Sequence, residues 1–218
     1  MSDRRHPSLT LLTGYATGDP QAPPAITISA HIETCEACRG HVSQIEDREG
    51  RSLETSAPAP MSSAALKDLL ARIDEEPSPP TSARVHAHWA RREFLGDVRI
   101  PRAVAEAGLG SRRWLAPGIW AAPVRGLSDA PWRTLLLRAR RGARIPSHGH
   151  SGEELIAVLQ GSFRDGELYA AGDFAENDAG VHHRLTVSRD GSCACLISTR
   201  GPIKWRGWSR IVGVMLGI

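Results

Sequence analysis

The chain has 218 residues, room for one large or two modest domains, and its 27 Lys+Arg against 24 Asp+Glu leave a net charge of +3. No apolar run is long enough to span a bilayer or, after Arg4 and Arg5, to act as a secretory leader, and the four cysteines form two tight pairs unlike a secreted disulfide framework; a cytoplasmic protein without a membrane partner is expected. Charge divides unevenly, with 8 basic and 12 acidic residues over 1–84 (−4) but 19 and 12 over 85–218 (+7), and an acidic front half suits a basic protein partner.

A first helix is predicted from Ser8 to about Gly18, with Leu9, Leu12 and Tyr15/Ala16 at helical spacing. A second, over 25–34, places Ile28, His31, Ile32 and Cys35 on one side, and a third starts within the Cys35–Cys38 turn and continues through Val42 and Ile45. All six Trp and all three Phe lie beyond residue 88, so this front part is short of core material and gains from a structural metal. His31, Cys35 and Cys38 have the spacing of a zinc half-site, and His6, the only histidine upstream, completes a four-ligand set if the N-terminal segment folds back. A C-x2-C redox pair is the alternative, but it prefers a βα setting and leaves His31 unused.

Ser56–Pro60 interrupts the helical pattern, after which Ser62 or Ser63 can cap a fourth helix carrying Leu66, Leu69, Leu70 and Ile73. Its apolar face either packs on its own domain or lies on a partner. Glu75–Ser82 is charged, Pro-rich and free of large apolar groups, which describes a linker. The organisation expected is an all-α zinc-binding helical bundle over 1–75, a linker over 76–84 and an all-β domain over 85–218.

In that last part, short β-rich runs at 134–138, 155–159, 162–164, 167–170, 183–187 and 194–198 are separated by turn residues, as in an antiparallel barrel or jelly roll. Gly142 is followed by His148, His150, Glu154 and Gly161, and Gly172 by Asp178, Gly180 and His183. These spacings resemble the paired motifs of the cupin superfamily, a double-stranded β-helix with a metal at the barrel mouth; Asp178 stands where Pro is usual and Val187 where Asn is usual. Residues two apart on a strand share a face, so His148 and His150 can both point inward, and three imidazoles with one carboxylate suit Zn or another divalent transition metal such as Fe, Mn or Ni. His182 and Glu153 are expected either at the surface or just behind the metal ligands, and the His86/His88 pair at the surface. Cys193 and Cys195 share one strand face and are either small buried hydrophobes or an oxidant-reactive pair; a disulfide between them on a flat strand would be strained.

The two centres in this order, with the paired cysteines and a Leu-Leu-x-x-Tyr-Ala-x-Gly run at Leu11–Gly18, resemble the ChrR family of zinc-dependent anti-sigma factors over nearly the whole chain. That resemblance implies a non-enzymatic regulator whose zinc domain sequesters a group IV (extracytoplasmic-function) sigma factor. It also implies a cupin that releases the sigma factor on a signal, which in the family includes singlet oxygen and organic hydroperoxides. The rival reading is a metal-dependent, dioxygenase-like cupin enzyme with a regulatory zinc module. Direct nucleic-acid binding is not expected, because the basic half lacks a reading helix or a basic cluster interleaved with aromatics.

Overall fold

The computed structural model describes residues 4–19, 24–74, 94–125 and 132–205. The linker expected over 76–84 and the His86/His88 pair lie outside these residues. Four helices lead, α1 (Leu9–Thr17), α2 (Ala25–Ile32), α3 (Glu36–Glu54) and α4 (Ala65–Asp74). The Ser8 hydroxyl caps α1 by accepting from the Leu11 N–H at 3.3 Å, and Gly18, at φ +67°, closes it in the left-handed region.

Two helix boundaries differ from the sequence expectation. Helix α2 stops at Ile32, because the Thr34 hydroxyl donates to the His31 carbonyl at 3.2 Å and a turn forms there. Cys35 therefore leaves the α2 face and takes an extended backbone as the N-cap of α3. Helix α3 in turn runs well past Ile45 to Glu54, since its exposed Glu- and Arg-rich end is made of good helix formers that need no apolar face.

The β-rich part begins with the hairpin β1 (Phe94–Leu95) and β2 (Val98–Arg99), then a short helix α5 (Arg102–Ala107), β3 (Arg113–Ala116) and β4 (Ile119–Pro123). None of these five had been expected; all are short, and α5 interrupts what was read as all-β. There follow β5 (Trp132–Ala139), β6 (His148–His150), β7 (Glu154–Gln160), β8 (Ser162–Asp165), β9 (Glu167–Ala170) and β10 (Phe174–Asn177). The last are β11 (His182–His183), β12 (Thr186–Val187), β13 (Cys193–Arg200) and β14 (Ile203–Trp205); the strand expected over 183–187 is thus split in two. All strand pairings among the described residues are antiparallel, in a six-stranded sheet ordered β10-β7-β13-β5-β4-β3, two three-stranded sheets, β11-β6-β14 and β12-β8-β9, and the two-stranded β1-β2 hairpin.

The six-stranded sheet is covered on both faces, which is why β7 and β13 read as nearly unbroken apolar runs. Toward the barrel interior point Ile156, Val158, Ala175, Cys193 and Cys195, which pack with Phe163, Leu185 and Val187. Toward the outside point Leu155, Ala157, Phe174, Ala194 and Leu196, and these share one core with Leu12, Ile26, Ile28 and Val42 of the helices. The helices thus obtain from the sheet the core material that their own sequence lacks. At the seam, the buried Ser198 hydroxyl lies 2.6 Å from that of Thr27 on α2 and 2.7 Å from that of Thr134 on β5. Ser198→Ala strands both neighbours and is expected to cost about 1–3 kcal/mol, read as a lower denaturant midpoint at unchanged slope.

Candidate metal centres

The first cluster forms where the N-terminal segment, α2 and α3 meet. His6 Nδ1 lies 3.3 Å from Cys35 Sγ and 3.4 Å from Cys38 Sγ, and His31 Nε2 lies 3.4 Å from Cys38 Sγ. Around a tetrahedral zinc with its usual bond lengths, neighbouring N and S ligands stand about 3.5 Å apart, so the donors are already spaced for one. His31, Cys35 and Cys38 are buried, and burial pushes the Cys38 thiol up to about 12 and the His31 imidazole down to about 4. Both groups are thereby held neutral at pH 7, and a bound divalent cation is what would favour the thiolate in this setting.

His6 is brought in by the outer edge of the barrel. The Arg5 carbonyl accepts from the Phe174 N–H at 3.0 Å, and the Arg5 N–H donates to the Asp173 carboxylate at 3.2 Å. The Arg5 guanidinium pairs with Glu167 and stacks 4.4 Å over the Tyr169 ring, and the Ser8 N–H donates to Glu176. Phe174 also meets the His31 ring edge-on, with centroids 5.6 Å apart.

The second cluster lies inside the barrel, where His148 and His150 on β6, Glu154 on β7 and His183 on β11 are all at most 6% exposed. The Nε2 atoms of His148 and His150 each stand 3.1 Å from that of His183, and the Glu154 oxygens lie 3.2 Å from His150 and 3.4 Å from His183. His148 Nδ1 donates to the Pro146 carbonyl at 2.9 Å and His183 Nδ1 to Asp165 at 2.7 Å, so in the neutral rings the Nε2 atoms carry lone pairs aimed at one another. Converging lone pairs call for a cation, and about 3.0–3.4 Å is the separation of nitrogens bound to one such ion. Burial lowers His148 and His150 to about 4 and lifts the Glu154 carboxyl above its usual range; at His183 burial is outweighed by Asp165 and Glu154, which raise it.

Three orienting groups were not expected from the sequence: Asp165, the Pro146 carbonyl, and Asn177, whose amide donates to Glu154 at 2.9 Å. Two of them come from other strands at no fixed spacing from the ligands, so no local pattern marks them. Gly149 has a clear reason, since a Cβ there would come within 2.7 Å of the His182 ring. His182 and Glu153 are exposed.

Cys193 and Cys195 are buried and free, their sulfurs 3.6 Å apart beside a register shift in β13. The hydrogen bond shared with Cys193, together with burial, raises the Cys195 thiol well above its ordinary value and keeps it protonated. Among the described residues, no helix is long and apolar enough to cross a membrane.

These features define a class: a cupin barrel with a three-histidine, one-carboxylate cluster, carrying on its outer face a helical unit with a His2Cys2 cluster. The ChrR cupin-like domain family matches residues 110–203. Over 215 residues the chain is 30% identical to the anti-sigma-E factor ChrR of Cereibacter sphaeroides, covering 95% of each protein. The crystal structure of Rhodobacter sphaeroides SigE in complex with the anti-sigma ChrR superposes with a TM-score of 0.70 at 30% identity, covering 90% of this chain and 98% of that one. The chain belongs to the ChrR family of anti-sigma factors.

Proposed function

We propose that this protein sequesters a group IV sigma factor through its zinc-bound helices and releases it when an oxidative signal, singlet oxygen or a hydroperoxide, acts on the cupin. One observation carries the binding half of the reading. On α4, Leu66, Leu69 and Leu70 are 68%, 53% and 51% exposed, an apolar row that no other described residue covers, in a chain whose relative is seen in complex with a sigma factor. In this reading His6, His31, Cys35 and Cys38 hold a structural zinc that shapes the binding surface. His148, His150, Glu154 and His183 hold the cupin metal, a divalent transition ion. The domain assignment of 1–75, 76–84 and 85–218 follows the same division, and the protein acts by binding without turnover.

Support for coupling comes from β10. Alternate residues of a strand face opposite ways, so Phe174 and Glu176 reach the helical unit while Asn177 holds the cupin ligand Glu154. A change in the metal shell on one side of this strand is thereby placed one peptide away from the segment carrying His6 on the other.

The test is co-purification of the full chain with a candidate group IV sigma factor co-expressed from the same organism. Leu66→Ser/Leu69→Ser/Leu70→Ser is expected to weaken the complex at least about 100-fold, because buried interface anchors cost about 2 kcal/mol each, while leaving the melting temperature of the free protein unchanged. Wild type should release the sigma factor on treatment with an organic hydroperoxide, and His148→Ala should not; Cys193→Ser/Cys195→Ser shows whether the thiols take part. Equal release from all three overturns the cupin's role as sensor, and failure of wild type to hold the sigma factor overturns the binding role.

A further inference from the structure

The barrel interior is not filled. A cavity of about 230 Å³ extends from the His148/Glu154 end past Ile156, Phe163 and the Cys193/Cys195 thiols. Its walls explain an anomaly of the fold: Leu135, Leu137 and Ile197 lie mid-strand on β5 and β13, yet are only half-buried. Side chains at such positions are close-packed in an ordinary core; here they face open space. An apolar cavity of about 150 Å³ already takes up benzene, so this one has room for a chain of about eight to ten carbons.

The polar residues on the wall are few. His148, Glu154 and Thr199 are buried in the wall, whereas Arg144, Ala116 and Pro146 are exposed and form the rim. Arg144 is held there by the backbone bridge to Thr186, and its guanidinium forms no ion pair with any described residue. An aliphatic tube with an exposed arginine at its mouth is complementary to an amphiphile with an apolar tail and one anionic head.

We infer that the cupin cavity binds a medium-chain aliphatic monocarboxylate, tail inward and carboxylate on Arg144. Such a ligand lies against the thiol pair. The site is independent of sigma-factor binding and would stand if that reading failed.

Isothermal titration calorimetry of the metal-loaded full chain with hexanoate, octanoate, decanoate and hexadecanoate tests it. Affinity should tighten about fourfold per added methylene up to the length the cavity holds and then stop, with a negative heat-capacity change. Arg144→Gln, a surface change, should weaken octanoate about fivefold and leave 1-octanol unaffected. Leu137→Trp, which fills the tube, should abolish both; Ile197→Phe serves the same purpose if the first variant does not fold. Affinity that keeps rising to hexadecanoate means adsorption to the surface and overturns the proposal, as do equal losses of octanoate and octanol in Arg144→Gln, undiminished binding in the filled variants, or no heat with any acid.

Discussion

A Cys35→Ser/Cys38→Ser chain is expected to come out of purification with one zinc fewer than wild type and with sigma-factor binding weakened by more than about a thousandfold, since structural zinc in small domains supplies roughly 10 kcal/mol of folding free energy. The donors of this cluster come from three separate pieces of backbone: His6 precedes α1, His31 sits on α2, and the cysteines open α3. Beyond the cluster, the buried side chains of this unit are modest ones such as Leu12, Ile28 and Val42. Part of the helical signal should survive, because Ile26 and Ile28 remain anchored on the sheet, while the placement of α1 and α3 is lost. Metal analysis, circular dichroism and pull-down on the same preparation check the three statements together, and an intact complex from the double-serine chain would rule out a structural role for the metal.

Phe174→Ala is expected to be the most damaging single truncation at the seam, lowering unfolding stability by about 3–5 kcal/mol. The ring is 2% exposed and lies in the core shared by helices and sheet, against the His31 imidazole. Because that core is continuous, helices and barrel should melt in one transition, displaced as a whole in the mutant. Phe174→Leu, which keeps most of the volume, should recover more than half of the loss. Calorimetry showing an unchanged barrel transition beside a separate, earlier helical one would mean that the two parts fold independently.

Much of the architecture was legible because its signals are local. Ser8 and Gly18 bracket α1 as their capping chemistry predicts. The order of a helical part before a cupin barrel followed from the change of period along the chain. The two candidate clusters were legible because each set is concentrated in one short stretch, His31–Cys38 or His148–Glu154, with one further histidine elsewhere. The elements between 94 and 123 were missed, since strands of two to five residues and a six-residue helix carry too few positions to show a period. The end of α2 was missed because a Thr side chain bonding its own backbone competes locally with a helical pattern. One signal was present but unused: Leu155–Leu159 is apolar without alternation, which is how a strand buried on both faces reads, and it announced that something covers the sheet from outside.

The sequence by itself determined which atoms can bind: two histidines and two cysteines in front, three histidines and a carboxylate behind, and four leucine or isoleucine positions along one side of α4. Tertiary structure alone decided how these parts are joined. Ligand spacing says nothing about which outer surface a helix will lean on, because that depends on where apolar area remains uncovered after the barrel has closed. Here it remained on the six-stranded sheet, and the alternation of a four-residue strand then set Phe174 and Glu176 against the helices and Asn177 against Glu154. The same closure left the interior short of side-chain volume, so that the cupin encloses a cavity in place of a fully packed core.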